Sequence, residues 1–125
     1  MDLDLTPEQE LIRDTVRAFA RERVAPLAEE LDRESRFPDE LVGELAELGL
    51  LGLPVPERYG GAGGDTLSYA IAIEELTRVD SSVAITLAAH TSLGTMPILL
   101  FGSDAQRERW LPDLASGRRL AAFGL

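Results

Sequence analysis

Cysteine is absent from the 125 residues, which excludes disulfides, thiolate nucleophiles and Cys-ligated metal. Its absence fits any compartment and leans only slightly toward the cytoplasm. Lysine is absent too. All 12 basic residues are Arg, which removes a phosphate-loop lysine and Schiff-base chemistry. Histidine occurs once, at His90, with no carboxylates clustered around it, so no metal site is expected. Positive charge is scarce. The 22 acids outweigh the 12 bases to give −10, which argues against nucleic acid as a partner. The opening MDLDL is acidic and leads into no apolar segment, so neither a secretory signal nor a transit peptide is expected. Strand periodicity is missing almost everywhere.

The most informative deficit is local. From Ser81 to Ser103 the chain carries no Asp, Glu, Lys or Arg, although charges are dense on both sides. Such a stretch must be buried or must line something apolar. Gly94 and Pro97 predict that it is interrupted, with a helix from Ser82 to about Ser92, a break at Leu93-Gly94, and a second short helix from Met96 to Phe101. On that reading it is too broken to span a membrane. Ile85, Thr86, Ala89 and Leu93 are spaced to share one helical face. Thr86 and Ala89 are short, so the face predicts a groove that a neighbouring helix or a slender ligand could fill.

The remaining chain reads as helices. Thr6-Pro7-Glu8-Gln9 predicts a capping box and a helix start. Apolar residues from Leu11 to Leu31 then recur at three- and four-residue steps, with Arg13, Arg17 and Arg21 opposite and a bend expected at Pro26. Pro38-Asp39-Glu40 opens a second helix that Gly49 closes as a left-handed cap. Leu50 to Asp65, with Pro54, Pro56 and five glycines, reads as a loop. Asp65 or Thr66 opens a third helix, and Ser103-Asp104-Ala105-Gln106 predicts a second capping box. Together these give an all-α fold, an antiparallel bundle of about six helices. The final Leu120 to Leu125 reads as the start of a β-strand with no partner in the chain. The expected division is a helical domain over 1–119 and the first residues of a missing β-domain over 120–125. Length suits one domain with a substantial core.

Candidate chemistry yields little from the residues alone. Gly60-Gly61-Ala62-Gly63-Gly64 fails the dinucleotide pattern, because Thr66 stands where a glycine is needed and no strand precedes it; a flexible surface loop is the better reading. His90 has no nucleophile suitably placed, since Ser92 points elsewhere on the same helix. A structural histidine bonded to a helix end is favoured. Glu74 and Glu75 diverge by about 100° on a helix, so they cannot share a proton; a weak Glu75–Arg78 pair is expected. No general base, nucleophile or metal site is assigned.

Several segments in order nonetheless resemble the N-terminal helical domain of the acyl-CoA dehydrogenases. They are Leu5-Thr6-Pro7-Glu8-Gln9, Pro38-Asp39-Glu40-Leu41, Leu48-Gly49-Leu50-Leu51-Gly52, Pro56-Glu57-Arg58-Tyr59-Gly60-Gly61, Glu74-Glu75-Leu76, Ala89-His90-Thr91-Ser92-Leu93-Gly94, Phe101-Gly102-Ser103-Asp104-Ala105-Gln106 and Ala122-Phe123-Gly124-Leu125. The last is similar to the residues preceding that family's Thr-Glu-Pro flavin signature. The resemblance implies an FAD enzyme that oxidises an acyl-CoA thioester to the 2-enoyl-CoA and passes electrons to an electron-transferring flavoprotein, usually as a tetramer. It implies Ile85, Thr86, Ala89 and Leu93 as a wall of the acyl channel, and Phe123, Gly124 and Leu125 as flavin-side residues. The family's catalytic glutamate lies outside this chain, so the chain alone is expected to be inactive and to bind FAD poorly. An acyl-CoA oxidase domain, or a stand-alone helical interaction module, is the alternative.

Overall fold

The computed structural model describes residues 4–124. Helix α1 (Pro7–Phe19) begins at the expected capping box. Thr6 Oγ1 accepts the Gln9 N–H, and the Gln9 side chain accepts the Thr6 N–H. A wide turn (Ala20–Val24) carries α1 into α2 (Ala25–Glu34). Helix α3 (Asp39–Glu47) follows and ends before Gly49, which is left-handed at φ 74°, as its position predicts. Short 3₁₀ turns at Leu50–Gly52 and Glu57–Tyr59 lead to α4 (Thr66–Thr77), capped by Asp65. Helix α5 (Ser81–Ala88), a second wide turn (Ala89–Thr95) and α6 (Met96–Phe101) are continuous, and α7 (Asp104–Ala115) opens on the Ser103–Gln106 capping box.

The fold is all-α among the described residues, but it departs from the expected bundle in three ways. The first is the number of rods. The break expected at Leu93-Gly94 does not occur, so five continuous rods stand where about six helices were expected. Both wide turns end one residue before an Xaa-Pro step: Ala25-Pro26 and Met96-Pro97. The Ala25 N–H bonds to Ala20 O and the Met96 N–H to Thr91 O, each one residue further back than in an α-helix. Proline lacks an N–H, and its ring collides with the carbonyl four residues earlier. Widening the preceding turn shifts that carbonyl and lets the helix continue. The run Ser81–Phe101 is therefore uninterrupted, and with mean hydropathy 1.5 it is long and apolar enough to cross a membrane by length and composition.

The second departure is direction. Gln9 near the start of α1 bonds Asp65 at the start of α4, and Arg17 further along α1 bonds Glu75 further along α4. The two helices thus run parallel, not antiparallel. Side-by-side parallel helices bring their positive ends together. Asp65 offsets this, because its carboxylate accepts the Ser68 N–H of α4 and the Gln9 amide of α1 at once. Helices α4 and α5 do form an antiparallel hairpin, with Tyr69 Oη donating to Ala88 O.

The third departure is the C-terminus. Residues 120–124 form no strand, and Leu125 lies outside the described residues. The main core joins Val16, Phe19 and Val24 of the first rod to Leu41 and Leu45 of α3, Leu76 of α4 and Leu87 of α5. A smaller core around Val55, Tyr59, Leu111 and Ala115 seats α7. The glycine-rich loop is tied down rather than flexible. Backbone bonds from Gly61 to Pro56, Ala62 to Gly52, Gly63 to Val55 and Gly64 to Leu53 fold it back on itself.

Candidate functional site

The charge-free helix is the natural place to look, and its two sides differ. Val83, Ala84, Leu87, His90, Thr91 and Thr95 are buried. Ile85 and Leu93 are 63% and 49% exposed, and Leu100 and Phe101 continue the exposed side. Thr86 and Ala89 are half-buried, and the Thr86 hydroxyl donates to Ser82 O. The four residues expected to share a groove are not gathered into one cavity. The wide turn that starts at Ala89 adds a residue to the helical repeat and leaves Leu93, like Ile85, on the exposed side. Ile85 alone of the four lines a shallow depression, with Ile73, Thr77, Ala84 and Ala88.

The flavin-side candidates are open. Phe123 is 59% exposed, nothing lies within 4 Å of where a Gly124 Cβ would stand, and Leu125 is outside the described residues. Immediately before them, the chain is held in place. The Ala121 N–H donates to His90 Nδ1 at 3.1 Å, while His90 Nε2 lies 3.1 Å from Leu114 O in the last turn of α7. A carbonyl can only accept and an amide N–H can only donate. Neutral His90 therefore carries its proton on Nε2. Burial pushes its pKa down, opposed by the backbone bonds to Leu114 and Leu51. The expected structural histidine at a helix end is present, with an additional bond to the tail.

Two features were not legible in sequence. One is a hollow of about 430 Å³ between the start of α1, Leu48–Leu53 and Gly63–Asp65, walled by Leu11, Ile12, Leu50 and Leu53. No local motif marks it, since its walls are far apart in the chain. The other is the Arg17–Glu75 pair. Both guanidinium contacts are short, 2.9 and 2.8 Å, and Glu75 is buried. Arg17 holds the Glu75 carboxyl below its ordinary range, against the opposing effect of burial. Glu75 is thus a fixed, ionised anchor rather than a proton acceptor. The expected Glu75–Arg78 pair is replaced by Arg78–Glu74 at 2.6 Å. Among the described residues no group of three or more His, Asp or Glu side chains could hold a metal.

Comparison with known proteins gives consistent matches. The family model described as acyl-CoA dehydrogenase, N-terminal domain, matches residues 6–118. An acyl-CoA dehydrogenase of Bacillus subtilis (strain 168) is 46% identical over 123 residues, covering 98% of this chain and 32% of that protein. A chain from the structure of the electron transferring flavoprotein of Acidaminococcus fermentans superposes with TM-score 0.92 at 40% identity, covering 96% of this chain and 32% of that one. An acyl-CoA dehydrogenase from Bacillus anthracis complexed with FAD superposes with TM-score 0.86 at 40% identity, covering 94% of this chain and 20% of that one. The chain thus spans about a third or less of these relatives.

Proposed function

The chain belongs to the acyl-CoA dehydrogenase family as its N-terminal domain, and on that premise we propose that it forms one wall of the acyl and flavin pocket of an FAD-dependent acyl-CoA dehydrogenase. The whole protein would oxidise an acyl-CoA thioester to the 2-enoyl-CoA and release electrons to an electron-transferring flavoprotein. Relatives that are acyl-CoA dehydrogenases, one of them complexed with FAD, support this reading. The likeness to a chain from an electron-transferring flavoprotein structure supports the electron partner.

One observation carries the assignment to a wall: a charge-free helix leaves an apolar side, Ile85 and Leu93, open. Ile85, Thr86, Ala89 and Leu93 are the proposed acyl-side residues. Phe123, Gly124 and Leu125 are the proposed flavin-side residues. Open space over Gly124 and the exposed Phe123 ring fit one side of a flat ring system. They do not enclose it, and they offer no charged grip for a pyrophosphate, so no reaction step is assigned to them. The catalytic base belongs outside this chain. Glu75 does not replace it, because Arg17 holds it ionised.

Ser81–Phe101 is proposed to be a domain helix rather than a membrane span. Supporting this, His90 is buried with both ring nitrogens bonded within the domain. A homotetramer and a cytoplasmic location complete the proposal by analogy with the family.

A chimera tests the reading. This chain would replace the N-terminal third of the Bacillus subtilis relative. The chimera is expected to bind FAD and to lose flavin absorbance on addition of a straight-chain acyl-CoA, and Ile85→Asp should weaken that response. A folded, FAD-loaded chimera that no acyl-CoA reduces would overturn the assignment.

A further inference from the structure

The tail crosses the central rod at one place, and two unrelated features of the rod meet it there. The first is His90, 1% exposed, whose two nitrogens tie the Ala121 amide to the Leu114 carbonyl. The second is Gly94, four residues further along the wide turn. A Cβ at position 94 would stand 2.1 Å from the Ala121 Cβ and 3.1 Å from its Cα and carbonyl carbon. Only a glycine admits the chain so close. The wide turn itself is fixed by a third group, Thr95 Oγ1, which donates to His90 O.

We infer that His90 and Gly94 form a seat for Ala121 that sets where the chain leaves the helical domain, and that His90 is a positioning residue for Ala122 to Gly124. The geometry requires one tautomer. With the proton on Nε2, the ring donates to α7 and accepts from the tail, so it relays the position of the α7 end to the departing backbone. With the proton on Nδ1, two donors would face each other at Ala121 and two acceptors at Leu114. A hydrophobic residue of similar volume could fill the space but could not hold the amide. The seat exists whatever follows it. Its consequence for function rests on the flavin-side reading of Phe123 and Gly124, since a shift at Ala121 moves those residues directly.

The test is NMR on the ¹⁵N-labelled chain. A through-hydrogen-bond nitrogen–nitrogen coupling between the Ala121 amide and His90 Nδ1 is expected, together with imidazole shifts of the Nε2–H tautomer. His90→Phe should raise the Ala121 amide exchange rate by roughly five- to tenfold, the loss of one hydrogen bond. His90→Gln, which keeps one donor and one acceptor, should restore most of the protection. Gly94→Ala should expose the same amide with His90 untouched, while core amides of α1 and α4 keep their rates. An Ala121 amide that exchanges freely in the unaltered chain, or that stays protected in both His90→Phe and Gly94→Ala, overturns the seat. A seated tail in a chimera that no acyl-CoA reduces would overturn the flavin reading and leave the seat standing.

Discussion

Removing the Glu75 carboxylate should separate the Arg17–Glu75 pair from the exposed Arg78–Glu74 pair. Glu75 is nearly closed off, with 6% of its side chain exposed, while Arg17 is 36% exposed. Glu75→Ala deletes two charge-assisted hydrogen bonds at 2.9 and 2.8 Å. Each such bond contributes about 1.5–3 kcal/mol when well sheltered. Water reaching Arg17 screens the pair and lets the orphaned guanidinium resolvate. The net expected cost is about 2 kcal/mol, or about 6–8 °C in Tm for a domain of this length. Thermal unfolding followed by circular dichroism at 222 nm reads it. Glu74→Ala is the control, because its partner Arg78 and Glu74 itself are both well exposed, and such pairs contribute little. Glu75→Gln should fall between the two. The pH dependence has a definite sign. The folded-state pKa of Glu75 is lowered, so the contribution is complete above the unfolded carboxylate pKa and is lost as pH falls through the folded value. Equal losses for Glu74→Ala and Glu75→Ala, or no loss for Glu75→Ala, would refute the view that α1 and α4 are locked by this contact.

Thr6→Ala removes the cap of α1 and should cost about 1 kcal/mol by urea denaturation; an unchanged midpoint would show that Gln9 and Asp65 suffice. His90 titrates with the opposite group chemistry but the same direction of loss. Its folded pKa is lowered, so its contribution is present above the unfolded His value and declines as pH falls below it. The stability difference between the unaltered chain and His90→Gln should therefore shrink between neutral and mildly acidic pH, and a constant difference counts against it. Finally, Leu100, Phe101 and Phe123 are 58%, 85% and 59% exposed, more apolar surface than a lone domain usually leaves in water. Sedimentation of the purified chain should show self-association that Phe101→Glu weakens; a clean monomer at high concentration would contradict it.

Local chemistry was readable from the sequence, and long-range geometry was not. The capping boxes at Thr6 and Ser103 and the left-handed Gly49 each depend on residues a few positions apart. Pro97 was misread because a proline ends a helix only if the turn before it stays α-helical, and the widened turn depends on packing no short window reveals. Direction was misread for a related reason. Short connections favour antiparallel neighbours, but the partner of α1 is α4, across a connection that is not short. Arg17 looked like one more charge on a wet face because its partner lies 58 residues away. Helical spacing put Ile85 and Leu93 on one side, and both are exposed, but the widened turn between them depends on packing and left no mark in the spacing.

The parallel pairing of α1 with α4 also bears on how the chain folds. The α4–α5 hairpin closes over a handful of residues, whereas the Arg17–Glu75 contact closes a loop of 58. Loop closure costs about 0.6 kcal/mol more for each doubling of length. The hairpin should therefore form early and wait for α1, leaving the transition state structured around Leu76, Val83 and Leu87 and loose at Val16. Substitutions at Leu76 or Leu87 should slow folding, while Val16→Ala should mainly speed unfolding. A slower folding rate for Val16→Ala, with unfolding unchanged, would mean that the distant helix arrives first.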